Sequence, residues 1–135
     1  MTTSAPLTQN YEVSTAAEAT AGTGQEAQLC VAPWAGTLAQ AGYTPEAAIT
    51  GVASNNKSLT IRNRGAAGTG NTVMASLALA AGTSPAAFVE AAITLSGTAA
   101  NLNFNAGDIL TFQSTVTGTG MTLPEAKVRV VLSRS

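Results

Sequence analysis

Apolar side chains recur at every second position in short runs along the chain, with polar side chains between them. This period of two is typical of β-strands that bury one face. Clusters of Gly, Asn, Ser and Asp separate the runs and favour turns. The apolar sets are Ala27, Leu29 and Val31; Leu59 and Ile61; Val73, Ala75, Leu77 and Leu79; Ile93 and Leu95; Leu102 and Phe104; Leu110 and Phe112; and Val128, Val130 and Leu132.

The pattern predicts an all-β fold, an antiparallel β-sandwich of seven to eight strands of the jelly-roll or immunoglobulin-like kind. A parallel sheet would need crossover helices, and no long helical segment is present. Only Thr44-Pro45-Glu46 and Ser84-Pro85-Ala86 favour helical turns, because a hydroxyl N-cap precedes a proline in each. We predict an extended N-terminal arm over residues 1–10 and a single sandwich domain over residues 11–135.

The length of the chain is enough for one domain, and its charge argues against some classes of binding partner. The chain has 135 residues, and 45% of them are apolar, which is enough for one core. A net charge of −1 supplies no field that would attract nucleic acid or an anionic membrane surface. The N-terminus has no apolar signal segment, and no stretch reaches the roughly 18 apolar residues of a membrane helix. We therefore expect synthesis in the cytoplasm without a signal peptide, and no nucleic-acid or membrane partner.

The inventory of reactive side chains is small. Histidine is absent, which removes the usual general base near neutral pH and the commonest transition-metal ligand. Cys30 is the only cysteine, so no internal disulfide can form, and we interpret it as an inert small side chain that alternates with the core positions Leu29 and Val31. The sequence predicts a protein that is not an enzyme and uses no cofactor or metal. The remaining acids besides one aspartate are scattered: Glu12, Glu18, Glu26, Glu46, Glu90 and Glu125.

The single aspartate and a recurring glycine string are both interpreted as turn features. Asp108 lies in the turn Asn105–Asp108, where its carboxylate is expected to accept hydrogen bonds from local backbone N–H groups. Gly-Thr-Gly occurs at 22–24, 68–70 and 118–120, each time shortly before a strand. Because no helix follows, a turn with positive φ explains these strings better than a phosphate-binding loop.

Four side chains of the domain are candidates for contact with other molecules. Trp34, the only tryptophan, is either a core residue at the sandwich edge or an interface anchor, and Tyr43 has the same two interpretations. Arg62 and Arg64 are expected on the polar face of their strand. There they either face solvent or pair with carboxylates of a neighbouring subunit.

Three long segments resemble a family of small proteins encoded in tailed-phage structural modules, especially those of actinobacterial hosts. The segments are YTPEAAITGVASNNKSLTIRNRG, AAGTGNTVMASLALAAG and ITLSGTAANLNFNAGDILTFQSTVTGTGMTLPEAKVRVVLS. They contain the Asn-x-Gly turn at Asn63-Arg64-Gly65, the Gly-Asp-aliphatic-Leu turn at Gly107–Leu110, and the segment from Ser114 to Gly120. This chain has Pro124-Glu125-Ala126 where relatives often have Pro-Gly-Gly, so the turn before its last strand is expected to differ.

The resemblance implies a capsid decoration protein, also called a cement or minor capsid protein. Such a protein lies on the outer capsid surface of the virion and stabilises the assembled shell. Its implied partners are the major capsid protein and further copies of itself, commonly as homotrimers at threefold junctions. The candidate contacts on the arm and the domain are Thr2, Thr3, Pro6, Leu7, Tyr11, Trp34, Tyr43, Arg62 and Arg64.

A carbohydrate-binding module of a tail fibre or cell-surface protein is the alternative. Sandwich folds often carry sugar sites formed by exposed aromatic and amide side chains. The candidates for such a site are Trp34, Tyr43, Asn55 and Asn56.

Overall fold

Two antiparallel β-sheets of five strands each make up the fold of the computed structural model, which describes residues 7–135. This confirms the predicted all-β, sandwich-like architecture. The strands are β1 (Thr8–Thr15), β2 (Glu26–Val31), β3 (Gly36–Pro45), β4 (Asn56–Asn63), β5 (Thr72–Ala78), β6 (Ala91–Ala92), β7 (Thr94–Leu95), β8 (Asn103–Phe104), β9 (Ile109–Thr117) and β10 (Ala126–Arg134).

The chain changes sheet at nearly every connection. The first sheet has the order β1-β10-β3-β6, with β8 also paired to β3, and the second has the order β2-β9-β4-β5-β7. Only β4 and β5 are consecutive strands paired within one sheet. The two sheets are therefore tied together by the path of the chain as well as by their packing.

Apolar residues of both sheets meet between the layers. Tyr43 of β3 stacks on Phe112 of β9, with ring centroids 6.0 Å apart and an interplanar angle of 18°. The predicted inward residues Val128, Val130 and Leu132 of β10 are all fully buried. Burial of such side chains stabilises a core by about 1.5–3 kcal/mol each.

Three register shifts interrupt the strand ladders, and two of them correct predictions of which residues face the core. The pairing of β2 with β9 shifts register after Gln28, so that Leu29 and Cys30 are both buried and Val31 is 50% exposed. The prediction that Val31 points inward is therefore wrong. A similar shift between β4 and β5 buries Met74, which the strict alternation had placed on the outer face.

The N-terminal boundary differs from the predicted one. Residues 8–10, assigned to the arm, belong to β1 and pair with residues 131–133 of β10. Leu7 precedes β1, and its carbonyl accepts a hydrogen bond from the Arg134 N–H at 2.8 Å. The candidate contacts Thr2, Thr3 and Pro6 lie outside the described residues.

Helical structure is nearly absent from residues 7–135, where the one helix is a 3-10 turn at Ala99–Leu102. The predicted helical turns are not formed, since Pro45 ends β3 and Pro85 lies in a loop. No helix in this part of the chain is long and apolar enough to cross a membrane.

The turn Asn105–Asp108 carries the chain from the first sheet to the second, because β8 pairs with β3 while β9 pairs with β2 and β4. Asp108 Oδ2 accepts hydrogen bonds from the Asn105 N–H at 2.8 Å and from Asn63 Nδ2 at 3.0 Å. The interpretation of Asp108 as a turn residue is confirmed.

Candidate binding site

The most exposed large apolar side chains of residues 7–135 are adjacent in sequence. Phe88 is 75% exposed and Val89 is 57% exposed, in the loop that connects β5 to β6. An aromatic side chain presented at a loop tip buries a large area when it meets a partner. We call residues 86–90 the Phe88 turn.

The backbone of the Phe88 turn is strained. The Val89 N–H donates to the Ala86 carbonyl at 3.3 Å, which closes a four-residue turn, and Phe88 at its third position has φ +60°. A positive φ at this position usually selects glycine, because a side chain in the left-handed region costs about 1–2 kcal/mol. Phe88 is the only non-glycine residue with positive φ among the described residues. Strain of this kind concentrates at sites of ligand contact.

Three hydrogen bonds hold the base of the Phe88 turn. The Phe88 N–H donates to the Pro45 carbonyl at 2.8 Å, at the end of β3. The buried Pro85 accepts from the Ile49 N–H at 2.9 Å, and Ser84 Oγ accepts from the Gly51 N–H at 3.1 Å. The tip is therefore presented from a fixed frame.

A bidentate ion pair fixes the other end of the turn to the first sheet. Arg129 Nε and Nη2 each donate to one oxygen of the Glu90 carboxylate at 2.8 Å, and these bonds lower the pKa of Glu90. Arg129 Nη1 also donates to Asn10 Oδ1 of β1 at 3.2 Å. The Glu90 side chain crosses Gly42, where an added Cβ would lie 2.4 Å from its carboxyl carbon. Glycine at position 42 lets the carboxylate lie flat over the sheet.

Open clefts flank the Phe88 turn. One of about 460 Å³ lies between residues 47–50 and 121–124, and it includes Ile49, which bonds the base of the turn. Another of about 380 Å³ lies beside Glu90 and Arg129. No group of three or more potential metal ligands exists among residues 7–135. The Phe88 turn offers exposed apolar contact area at Phe88 and Val89.

The predicted aromatic contacts separate into one core residue and two half-buried ones. Tyr43 is 1% exposed, which supports the core interpretation among the two that the sequence left open, and burial raises the pKa of its hydroxyl. Trp34 is half-buried, with its ring 6.1 Å from that of Phe104, and Tyr11 is half-buried on β1. For Trp34 and Tyr11, contact with a partner stays a prediction.

The two predicted arginines use their hydrogen bonds within the chain. Arg64 Nε and Nη2 donate to the two Glu26 oxygens at 2.7 and 2.9 Å, and this pairing lowers the pKa of Glu26. Arg62 Nη1 and Arg64 Nη1 both donate to Asn71 Oδ1, at 2.6 and 3.0 Å. Arg64 thus pairs with a carboxylate of its own chain, and contact of Arg62 or Arg64 with a neighbouring subunit stays a prediction.

The four candidates for a sugar site are not brought to one surface. Tyr43 is in the core, and Asn56 is buried with its amide donating to the Val52 carbonyl at 2.8 Å. Asn55 lies beside Gly118, just after β9, while Trp34 lies beside the turn that precedes β9. A nine-residue strand separates these ends by about 25 Å.

A buried ion pair is a polar feature that the sequence analysis missed. Lys57 on β4 is fully buried, and its Nζ donates to Glu18 Oε1 at 2.8 Å. It also donates to the carbonyl oxygens of Thr23 at 2.7 Å and Thr20 at 3.4 Å. One side chain therefore anchors much of the connection between β1 and β2.

The Glu18 carboxylate is satisfied on both oxygens. Ser114 Oγ donates to Oε1 at 2.8 Å, and Gln25 Nε2 donates to Oε2 at 2.9 Å. Lys57 lies two residues before Leu59, so the same alternation that places Leu59 inward also places Lys57 inward. The even spacing from Leu59 could therefore have predicted from the sequence that Lys57 is buried. Burial of Glu18 could not be predicted in this way, because Glu18 lies in the irregular segment between β1 and β2.

Cys30 is buried, and burial raises the pKa of its thiol to about 11. The thiolate is therefore scarce at neutral pH, which fits an unreactive packing role.

We expect Phe88→Gly to leave the fold intact and to be about 0.5–1 kcal/mol more stable than Phe88→Ala. Both variants remove the exposed ring, but only glycine relieves the positive φ. Chemical denaturation of the two variants measures the difference. Equal stability would show that the turn stores no backbone strain.

Comparisons of the chain with protein-family models, curated proteins and solved structures find no match.

Proposed function

We propose that this protein binds the outer surface of an assembled tailed-phage capsid and stabilises it, as a decoration protein of the virion. The observation that carries the proposal is the Phe88 turn, an exposed apolar tip held in a strained conformation on a β-sandwich frame. The resemblance in the strand and turn segments supports the same class. On this proposal the protein acts by binding and transforms no substrate, and its sandwich is of the jelly-roll or immunoglobulin-like kind.

A fixed tip suits a binding role because association costs conformational freedom. Side chains and loops that become ordered on contact reduce affinity, and a turn already held by Pro45 and by the Glu90–Arg129 pair avoids that loss. Interfaces concentrate their binding energy in a few aromatic and arginine side chains surrounded by weaker contacts. Phe88 is the residue of the described chain best placed for that role.

Several modest contacts together explain retention on a shell. The resemblance implies three copies grouped at each threefold junction, and each copy meets the major capsid protein. Linked contacts make rebinding of any one an intramolecular event, so retention exceeds the affinity of one contact. Because the protein binds the assembled lattice and not its free subunits, it stabilises that lattice by mass action.

The test is co-sedimentation of the protein with purified capsid shells of the phage that encodes it, assembled without this protein. We expect the wild-type protein to pellet with the shells and Phe88→Ala to lose at least about tenfold in affinity, as for a central aromatic contact. Val31→Ala, which removes an exposed apolar side chain on β2, is the matched control and should bind like wild type.

The outcomes separate the function from the site. Wild-type protein that fails to bind shells overturns the decoration function. If wild type and Phe88→Ala bind shells equally well, the decoration function stands, but the Phe88 turn is not part of the interface.

A further inference from the structure

β1 forms one edge of the first sheet. It pairs with β10 on one side over all eight residues, and no strand among residues 7–135 pairs with its other side. An edge strand of this length presents a row of unpaired backbone donors and acceptors, which is a template for another strand.

The alternation of hydrogen-bonded and non-hydrogen-bonded pairs between β1 and β10 shows which backbone groups of β1 point to the open edge. Leu7 and Arg134 are a hydrogen-bonded pair, because the Arg134 N–H donates to the Leu7 carbonyl. Hydrogen-bonded and non-hydrogen-bonded pairs alternate in an antiparallel ladder. The N–H and C=O groups that point to the open edge are those of Thr8, Asn10, Glu12 and Ser14.

The other sheet edges carry protection that β1 lacks. β2 is interrupted by the bulge at Leu29. β6 and β7 have two residues each, on a segment that passes from one sheet to the other. β1 contains no proline or register shift, and Glu12 is its one charged side chain. Bulges, short strands, prolines and charges are the usual means of blocking edge pairing.

We propose that β1 pairs antiparallel with β1 of a second copy of this chain, in a two-fold register centred on Tyr11. In this register Thr8 lies opposite Ser14 of the second copy and Asn10 lies opposite its Glu12, so every outward-facing residue gains a hydrogen-bonded partner. A register centred on Glu12 would place two carboxylates opposite each other, which is unfavourable. A register centred on Asn10 leaves Ser14 without a partner. Self-complementarity of the edge thus selects both the occupant and the register.

The side chains agree with the Tyr11 register. The two copies of Tyr11 would form a non-hydrogen-bonded pair, where side chains approach most closely, and aromatic pairs are favourable there. Tyr11 is half-buried against the core, so its ring is held in place before pairing. The Phe88 N–H bonds to Pro45 of β3, which lies two strands from β1 in the sheet. The pairing goes beyond the proposed function and does not depend on it.

Glu12→Pro tests the edge directly. Proline at this position removes an outward N–H and fills the space of the second strand, yet it leaves the ladder with β10 intact. Sedimentation velocity of the full chain over a hundredfold concentration range should show a reversible monomer–dimer equilibrium for wild type and only monomer for Glu12→Pro. A wild-type protein that stays monomeric, or an association that Glu12→Pro leaves unchanged, would overturn the proposal.

A pair of charge variants tests the register. Asn10→Lys would place a cation opposite Glu12 of the second copy and should strengthen dimerisation about three- to tenfold, while Asn10→Glu should weaken it by a similar factor. Within one molecule the signs are reversed, because Arg129 donates to Asn10 and would be repelled by lysine. If Asn10→Glu dimerised more tightly than Asn10→Lys, in the same order as the stabilities expected for the monomers, the Tyr11 register would be wrong.

Discussion

Replacing Lys57 with methionine is expected to lower the free energy of unfolding by about 3–5 kcal/mol. The reason is the charge that remains, more than the contacts that are lost. Lys57 and Glu18 form an ion pair of 2.8 Å with both side chains buried, so the variant leaves a buried carboxylate without its cation. The carbonyl oxygens of Thr20 and Thr23 lose their donor as well. Urea denaturation monitored by tryptophan fluorescence measures the change.

The double variant Lys57→Met with Glu18→Gln is the control for this interpretation. Removing both charges also removes the unpaired ion, so the double variant should recover more than half of the lost stability. Glutamine can still accept from Ser114. If the double variant were as unstable as the single one, packing around the Lys57 stem would explain the loss better than charge.

Gly120→Ala is expected to destabilise the protein by more than about 3 kcal/mol. Gly120 has φ +77°, and an added Cβ would lie 1.9 Å from the Ala21 carbonyl oxygen. Both the left-handed backbone and the close approach of two chain segments therefore require glycine. The clash falls on backbone atoms of the connection that Lys57 holds, so no side-chain rotation relieves it. Thermal and chemical unfolding should show the same large loss.

The matched control comes from another Gly-Thr-Gly string. Gly22 has no atom within 4 Å of an added Cβ and no positive φ. Gly22→Ala should leave the stability unchanged or raise it by up to about 1 kcal/mol, because alanine restricts the unfolded chain. If Gly120→Ala and Gly22→Ala changed the stability equally, the positive φ and the close backbone contact at Gly120 would not be the cause of the loss.

The sequence predicted the fold class because the apolar alternation is strong where strands are rich in branched and aromatic residues. β9 and β10 are of this kind, and their buried faces were predicted correctly. β3 was missed, since its residues GTLAQAGYTP are mostly small and give a weak β signal. β1 was missed for a similar reason, because its polar side chains fit an arm as well as an edge strand.

The candidate site could not be predicted from the alternation of apolar and polar residues. Phe88 and Val89 are adjacent apolar residues after a proline, in a segment expected to start a helical turn. Their exposure follows from hydrogen bonds to Pro45 and from the Glu90–Arg129 pair, which join segments about forty residues apart along the chain. Such contacts follow only from the three-dimensional path of the chain.

That path also constrains when the protein can fold during synthesis. β10, the last strand along the sequence, lies between β1 and β3 in the first sheet. Until it leaves the ribosome, the two earliest strands of that sheet have no common neighbour, and contacts of long sequence separation form slowly. Folding of this sheet is therefore expected to wait until β10 has been synthesised, with the apolar faces of β1 and β3 shielded meanwhile by transient collapse or by chaperones.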